Sequence, residues 1–281
     1  MKKIILFFAA LAVSLAPAFA ESEAVKTYTR QYEYKDFTSL SLSYSFQAEL
    51  VFTDSYSVEV EVPDFIEPYL KVTCLGGKLR IGLEMLPRDI QKKLNKHPDR
   101  LKAWIHMPSL TSLTMSGATR LAASGTPAQT DSGPLSIELS GASKASIDAG
   151  FSSLDIDVSG ASKLNLTGGA NLLEVECSGA SKCRFKGDYA KLEGEISGSS
   201  DLRVEGNVEN LEIDASGASK FDVTGETRIA VIELSGVSKG RLTIKDKMSY
   251  ELSGVSTLKI KDLGATVRGE ISRGSKIEYQ Q

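Results

Sequence analysis

The chain of 281 residues has little of what most catalytic and metal chemistry is built from. It holds two histidines (His97 and His106), three cysteines and one tryptophan, and only 7% of it is aromatic. Two histidines so close in sequence exclude a His-rich metal centre and leave little for a Ser-His-Asp triad. No charge sign dominates. The 33 basic and 36 acidic residues give a net −3, spread along the chain, which excludes the basic footprint of a nucleic-acid binder. A hydrophobic fraction of 41% is enough for a core and excludes wholesale disorder. What is plentiful is glycine, 24 residues, together with serine, beside an ordinary charge load of 25%.

The start of the chain is a targeting pattern. Lys2 and Lys3 precede an apolar run from Ile4 to Ala16, and Ala18-Phe19-Ala20 is a small-x-small cleavage site. Residues 1–20 therefore read as a secretory signal peptide cut after Ala20. The run is shorter than the roughly 20 apolar residues a spanning helix needs. No second long apolar run follows, so no transmembrane segment is expected after cleavage, and the mature chain is expected in the periplasm, at the cell surface or outside the cell. Disulfides form in such compartments.

The rest of the chain is a repeat. Ser-Gly-Ala-Ser-Lys stands at Ser140–Lys144, Ser159–Lys163, Ser178–Lys182 and Ser216–Lys220, with variants at Ser116, Ser197, Ser235, Ser253 and Ser272. The second position is Gly117, Gly141, Gly160, Gly179, Gly198, Gly217, Gly236, Gly254 and finally Arg273, at intervals of 24, 19, 19, 19, 19, 19, 18 and 19. Chance does not give five consecutive intervals of 19, and a fixed period of this length marks a repeat architecture. Alternation flanks the motif on both sides. Leu154, Ile156 and Val158 lie six, four and two residues before Gly160; Leu164 and Leu166 lie four and six after it. That is two half-buried strands around a bend. Further glycines (Gly125, Gly168, Gly187, Gly206, Gly225) mark a second turn.

A unit already filled by two strands and two turns has no room for a helix. The fold expected is all-β, a parallel β-helix of about nine to ten coils of ~19 residues. Equivalent residues then stack about 4.8 Å apart, giving a rod of roughly 40 Å. Residues 21–36 read as an N-terminal linker and 37–108 as a degenerate first coil plus an antiparallel excursion or cap. Residues 109–281 read as the repetitive β-helix, continuous with it. In the degenerate coil Leu40, Leu42, Tyr44, Leu50 and Phe52 match Leu154, Ile156, Val158, Leu164 and Leu166, which puts Phe46 in the glycine place. Within 53–108, alternation predicts strands over 56–62 and 101–107 and a hairpin around Gly76-Gly77. It leaves a helical turn over 64–70 and a polar, helical or loose stretch over 89–97.

These residues resemble a known family. The opening Asp36-Phe37-Thr38-Ser39-Leu40, the strand from Tyr56 to Pro63, Leu79-Arg80-Ile81-Gly82-Leu83 and the Ser-Gly-Ala-Ser-Lys repeats are similar to the auto-transporter adhesin "head GIN" domain family of secreted bacterial proteins. The resemblance runs over about residues 36–281. It implies a right-handed β-helix, similar in outline to pectin lyases without their catalytic residues, and no family-wide functional residue is carried over.

Stacking turns each repeat position into a ladder. Three residues before the glycine place stand Glu138, Asp157, Glu176, Glu195, Asp214, Glu233, Glu251 and Glu270. Three after it stand Arg120, Lys144, Lys163, Lys182, Lys220, Lys239 and Lys276, interrupted by Asp201 and Thr257. An acidic column is expected on one strand and a basic column across the bend. The bland account is a solvated charge lattice that keeps the rod soluble and discourages edge pairing. The functional account is a periodic surface for a repeating polymer, with Asp157, Glu176, Glu195, Asp214 and Glu233, and Lys144, Lys163, Lys182, Lys220 and Lys239, as its candidate binding residues. The glycine-aspartate nonapeptide of calcium-binding β-rolls is absent, and no cofactor or metal is expected. The repeated serines suit bends whose hydroxyls bond local backbone and one another, because a nucleophile needs one activated copy rather than nine. Cys177 and Cys183 read as buried thiols in apolar columns, with a disulfide between them left open; Cys74 stands apart.

The function expected is that of an exported non-enzymatic protein for cell-surface adhesion or glycan and envelope interaction. The alternatives are a carbohydrate-active enzyme on the same fold and a structural envelope spacer. Expected partners are glycans or envelope components, and a second copy through end-to-end or edge contacts.

Overall fold

The computed structural model describes residues 25–97, 99–127 and 133–280; the expected signal peptide lies outside them. The chain is nearly all strand, wound into a β-solenoid. Each coil contributes one strand to each of two parallel stacks. Leu135–Leu139, Ser153–Val158, Ala170–Cys177, Tyr189–Ile196 and Val208–Ala215 lie in the first stack. Lys144–Asp148, Lys163–Thr167, Lys182–Lys186 and Asp201–Glu205 lie in the second. The register is one residue on one residue. Leu139, Val158, Cys177, Ile196, Ala215 and Leu234 form one column, and all are at most 2% exposed. Period-2 alternation sends such columns inward from both stacks, and their apolar faces meet in a single core.

The bend explains the motif. Gly160 sits at φ +71°, and a Cβ there would come 2.5 Å from the Gly141 carbonyl oxygen. That oxygen accepts a 2.7 Å bond from Ala161 N–H of the next coil, so the backbones touch and only glycine fits. The second serine of the motif points inward and is buried from Ser143 to Ser256. Its hydroxyl bonds within the bend or to the next coil: Ser143 to the Ser140 carbonyl at 2.8 Å, Ser181 to Ser200 Oγ at 3.2 Å. These bonds satisfy a hydroxyl that burial would otherwise penalise.

The stack makes about eight regular turns, against the nine to ten coils expected from counting motif copies. Eight bends, Gly117 to Gly254, carry glycine at positive φ in the motif's second position; the two terminal coils are irregular. The first coil, Ser39–Leu42 and Gln47–Phe52, is two residues out of the register expected. Leu42 aligns with Met115, and Ala48 with Leu121, so Tyr44 and not Phe46 occupies the glycine place. Tyr44 takes φ +66°, and its carbonyl accepts from Ala118 as the glycines' carbonyls do from later coils. Its side chain is half-buried against the core, and the hydroxyl donates to the Glu84 carbonyl at 2.9 Å. Phe46 is fully buried in the position that Thr119 and then the serines take in later coils.

The N-terminal end is closed by mixed pairing rather than by an antiparallel excursion alone. Lys78–Leu83 runs parallel to Ser39–Leu42, and Lys102–Met107 parallel to Gln47–Phe52, so this pair makes a further coil. In it the helix Arg88–Asn95 lies where later coils have the bend. Antiparallel strands then finish both stacks: Leu70–Leu75 on one, Ser57–Pro63 and Thr27–Tyr32 on the other. Thr27–Tyr32 falls inside the stretch read as a linker; its partner strand Ser57–Pro63 recruits it. The 3-10 helix Asp64–Tyr69 buries Ile66 over this end of the core. Two further readings change. Gly225 makes no positive-φ turn but lies within the continuous strand Lys220–Leu234. Cys177 and Cys183, read first as free thiols, are joined as a disulfide across the bend, with Cα atoms 7.1 Å apart; Cys74 is free.

Candidate binding faces

Because the two stacks share one core, their outward residues form opposite faces of a slab. The first face is acidic. Asp157 is in register with Glu176, then Glu195, Asp214 and Glu233, and the file runs on to Glu251 and Glu270. Beside it, two residues earlier in each strand, runs a second file that sequence reading missed: Asp155, Glu174, Glu193 and Glu212. Its signal was present, since the fifth residue before the glycine repeats with the same period. Lys191 pairs with Glu193 at the margin of this face. Among the described residues no group of three or more His, Cys, Asp or Glu side chains is placed to hold a metal ion.

The opposite face is basic. Lys144, Lys163 and Lys182 are consecutive in register, followed by Asp201, Lys220 and Lys239. A neighbouring file, also missed, holds Arg184, Arg203, Asp222, Arg241 and Lys259. Asp222 is the exception within it. Its side chain is 1% exposed and sits between two arginines, with Arg241 Nε donating to Oδ1 at 2.7 Å and Arg203 Nε 3.9 Å away. Burial pushes the Asp222 carboxyl up, but the Arg241 hydrogen bonds and the charges of Arg241, Arg203 and Lys220 outweigh it and hold the group below the usual carboxylate range. The candidate lysines are all exposed.

A concavity of about 1050 Å³ belongs to neither face. It runs along the second turn past Asp148, Gly169, Asn171, Asp188 and Asn207. Its aromatic residues, Phe151 and Tyr189, are 5% and 2% exposed and so offer no stacking surface. Tyr189 spends its hydroxyl on the Gly168 carbonyl at 2.9 Å, and burial raises its pKa. His106 lies on the strand Lys102–Met107, half-buried, and does not line this groove.

The stacked-coil fold is the ground on which the chain compares with known proteins. The family described as "Putative auto-transporter adhesin, head GIN domain" matches residues 36–187 and 172–264. The chain belongs to this family. Similar solved structures include a putative adhesin from Parabacteroides distasonis, 14% identical, covering 92% of this chain and 98% of that one with a TM-score of 0.62. A putative adhesin from Parabacteroides merdae, 14% identical, covers 91% and 97% with a TM-score of 0.58. A protein from P. distasonis called a putative lipid binding protein, 13% identical, covers 91% and 97%, also with a TM-score of 0.58. At such identities the likeness is one of fold. No protein of curated function matches the chain. Among the described residues no helix is long and apolar enough to cross a membrane, a statement that does not extend to β-barrels.

Proposed function

We propose that the chain is an exported, non-enzymatic adhesion protein whose basic face binds an anionic polymer of a cell surface or envelope. The observation that carries this is the in-register file of Lys144, Lys163, Lys182, Lys220 and Lys239 beside the arginine file. Cations repeated at one strand spacing engage several charges of a regular polymer at once, so weak contacts, each worth about 0–1 kcal/mol, sum to an avidity. Family membership and the signal-like start support export. The even spacing of like residues supports binding over catalysis, since a reaction needs one distinct constellation.

The test is a panel of acidic glycans and envelope polymers presented to the purified chain at low and at about 0.5 M salt. Binding is expected to at least one acidic polymer. It should be lost at high salt and in a Lys163→Glu/Lys182→Glu/Lys220→Glu variant, and retained when Asp157, Glu176 and Glu195 are changed to glutamine. Turnover of a polymer, or no binding to any, would sink the reading.

A further inference from the structure

The two ends of the solenoid differ. At the N-terminal end the strands that finish the stacks, Thr27–Tyr32 and Leu70–Leu75, run antiparallel to their neighbours, and the 3-10 helix covers the core; the last coil at the other end, Thr266–Ile271 and Lys276–Gln280, runs parallel to the coil before it and among the described residues pairs on that side only. Ser272 N–H donates to the Leu252 carbonyl and Lys276 N–H to the Ser256 carbonyl, both in the preceding coil. Backbone groups alternate in direction along a strand, so those of Val267, Gly269 and Ile271, and of Ile277 and Tyr279, face outward along the rod. Ile271 and Tyr279 are 43% and 61% exposed.

We propose that this end pairs with the same end of a second copy, forming a two-fold dimer in which both stacks continue as antiparallel ladders. The charges select the register. Arg268 and Glu270 flank Gly269, and Lys276 and Glu278 flank Ile277. A two-fold axis through Gly269 reverses the strand and sets Arg268 opposite Glu270 of the second copy, and Glu270 opposite its Arg268. An axis through Ile277 does the same for Lys276 and Glu278. One axis serves both. Gly269 ends the column Gly194, Ile213, Ile232, Tyr250, and Ile277 ends the column Leu202, Phe221, Gly240, Leu258. A Cβ on Gly194 would lie 3.4 Å from Leu202, so the two columns face each other across the core.

The parity agrees as well. Gly269 and Ile277 both have outward backbone groups, so each meets its own copy as a hydrogen-bonded pair. The four charge pairs then fall on non-hydrogen-bonded positions, where side chains approach more closely. Val267 meets Ile271 of the second copy on the core side, which extends the apolar interior through the junction. In the single chain Glu278 already accepts from Lys259 at 3.0 Å and from Lys276, and the junction continues this alternation of sign.

Sedimentation equilibrium on the chain without residues 1–20, compared with charge variants, tests the proposal. The chain is expected to dimerise. Arg268→Glu and Glu270→Arg should each raise the dimer dissociation constant by on the order of tenfold or more, since each places two like-charge pairs face to face. The double variant should restore it. Thermal melting checks that each variant folds. An independent arm uses a Cys74→Ser background. Arg268→Cys mixed with Glu270→Cys should form a disulfide-linked dimer under mild oxidation, while either alone should not, since a residue does not face its own copy. A chain that stays monomeric, a dimer insensitive to the single reversals, or cross-linking of either cysteine variant with itself as readily as in the mixture would overturn the proposal.

Discussion

At the scale of the residue, Asp222 is where the surface chemistry becomes structural. Its carboxylate is buried while Arg241 is half in water, so removing either partner has unequal effects. Arg241→Ala strands a buried anion with only Arg203 near it and should cost about 3 kcal/mol. Asp222→Ala leaves an arginine that can turn to solvent and should cost about 1–2 kcal/mol. Urea denaturation at pH 7 measures both, and the reverse order would refute the assignment. The carboxyl titrates lower folded than unfolded, so its contribution is complete above the ordinary carboxylate range. It is lost as pH falls below about 4, through the folded value. The wild type should therefore lose stability faster than Asp222→Asn as pH drops through that window. Such a residue was not legible beforehand. In sequence Asp222 is one acid at a strand position that elsewhere holds Arg184, Arg203 and Arg241, and nothing in alternation says that the slab surface folds over it.

At the scale of the element, the bend and the strand make different demands on glycine. Gly160→Ala adds a Cβ 2.5 Å from a backbone oxygen, at a φ that favours glycine, and should cost at least about 2 kcal/mol. Gly194→Ala adds one 2.6 Å from Ile213 Cδ1, the end of a side chain that can rotate, at ordinary strand φ. It should be near neutral, and chemical denaturation of the two variants separates the cases. The disulfide closes a short loop around one bend. By chain entropy alone it contributes about 2 kcal/mol, so a Cys177→Ala/Cys183→Ala variant should unfold at correspondingly lower urea. Both sulfurs are buried, so reductant should act on the native protein only slowly. Strands, bends and period were readable because each coil repeats one pattern and errors average out. The first coil was misread by two residues because Tyr44 holds a positive φ without being glycine, and composition does not reveal that. The parallel pairing of Lys78–Leu83 and Lys102–Met107 escaped for another reason: alternation identifies a strand but not its neighbour.

At the scale of the whole molecule, the slab separates its charges. Carboxylates in one file stand about 4.8 Å from the next, while the opposing face lies about 10 Å away across the core. Repulsion within a face therefore outweighs attraction between faces, and salt screens the former at contact distances of water-exposed charges. Melting temperature should rise between about 0.02 and 0.3 M sodium chloride, and a fall would mean that cross-face attraction dominates. The two charge files named from the sequence were legible because one is the motif's own last residue, basic in most coils, and the other lies two residues before the motif. Their second files, five residues before and five after the glycine, were periodic too but lie one strand position further from the bend.

The closure at the N-terminal end has a further consequence. A stack of identical coils is a template for unlimited addition, the geometry by which cross-β fibres elongate. Here strands of reversed direction finish both stacks at one end, and the coil that would serve as a seed is blocked by Ile66 and the 3-10 helix around it. Elongation needs a receptive site at both ends of every unit. An end finished by reversed strands does not continue either stack as a parallel coil, so head-to-tail addition of one copy to the next breaks the repeat, and the fold carries its own chain terminator.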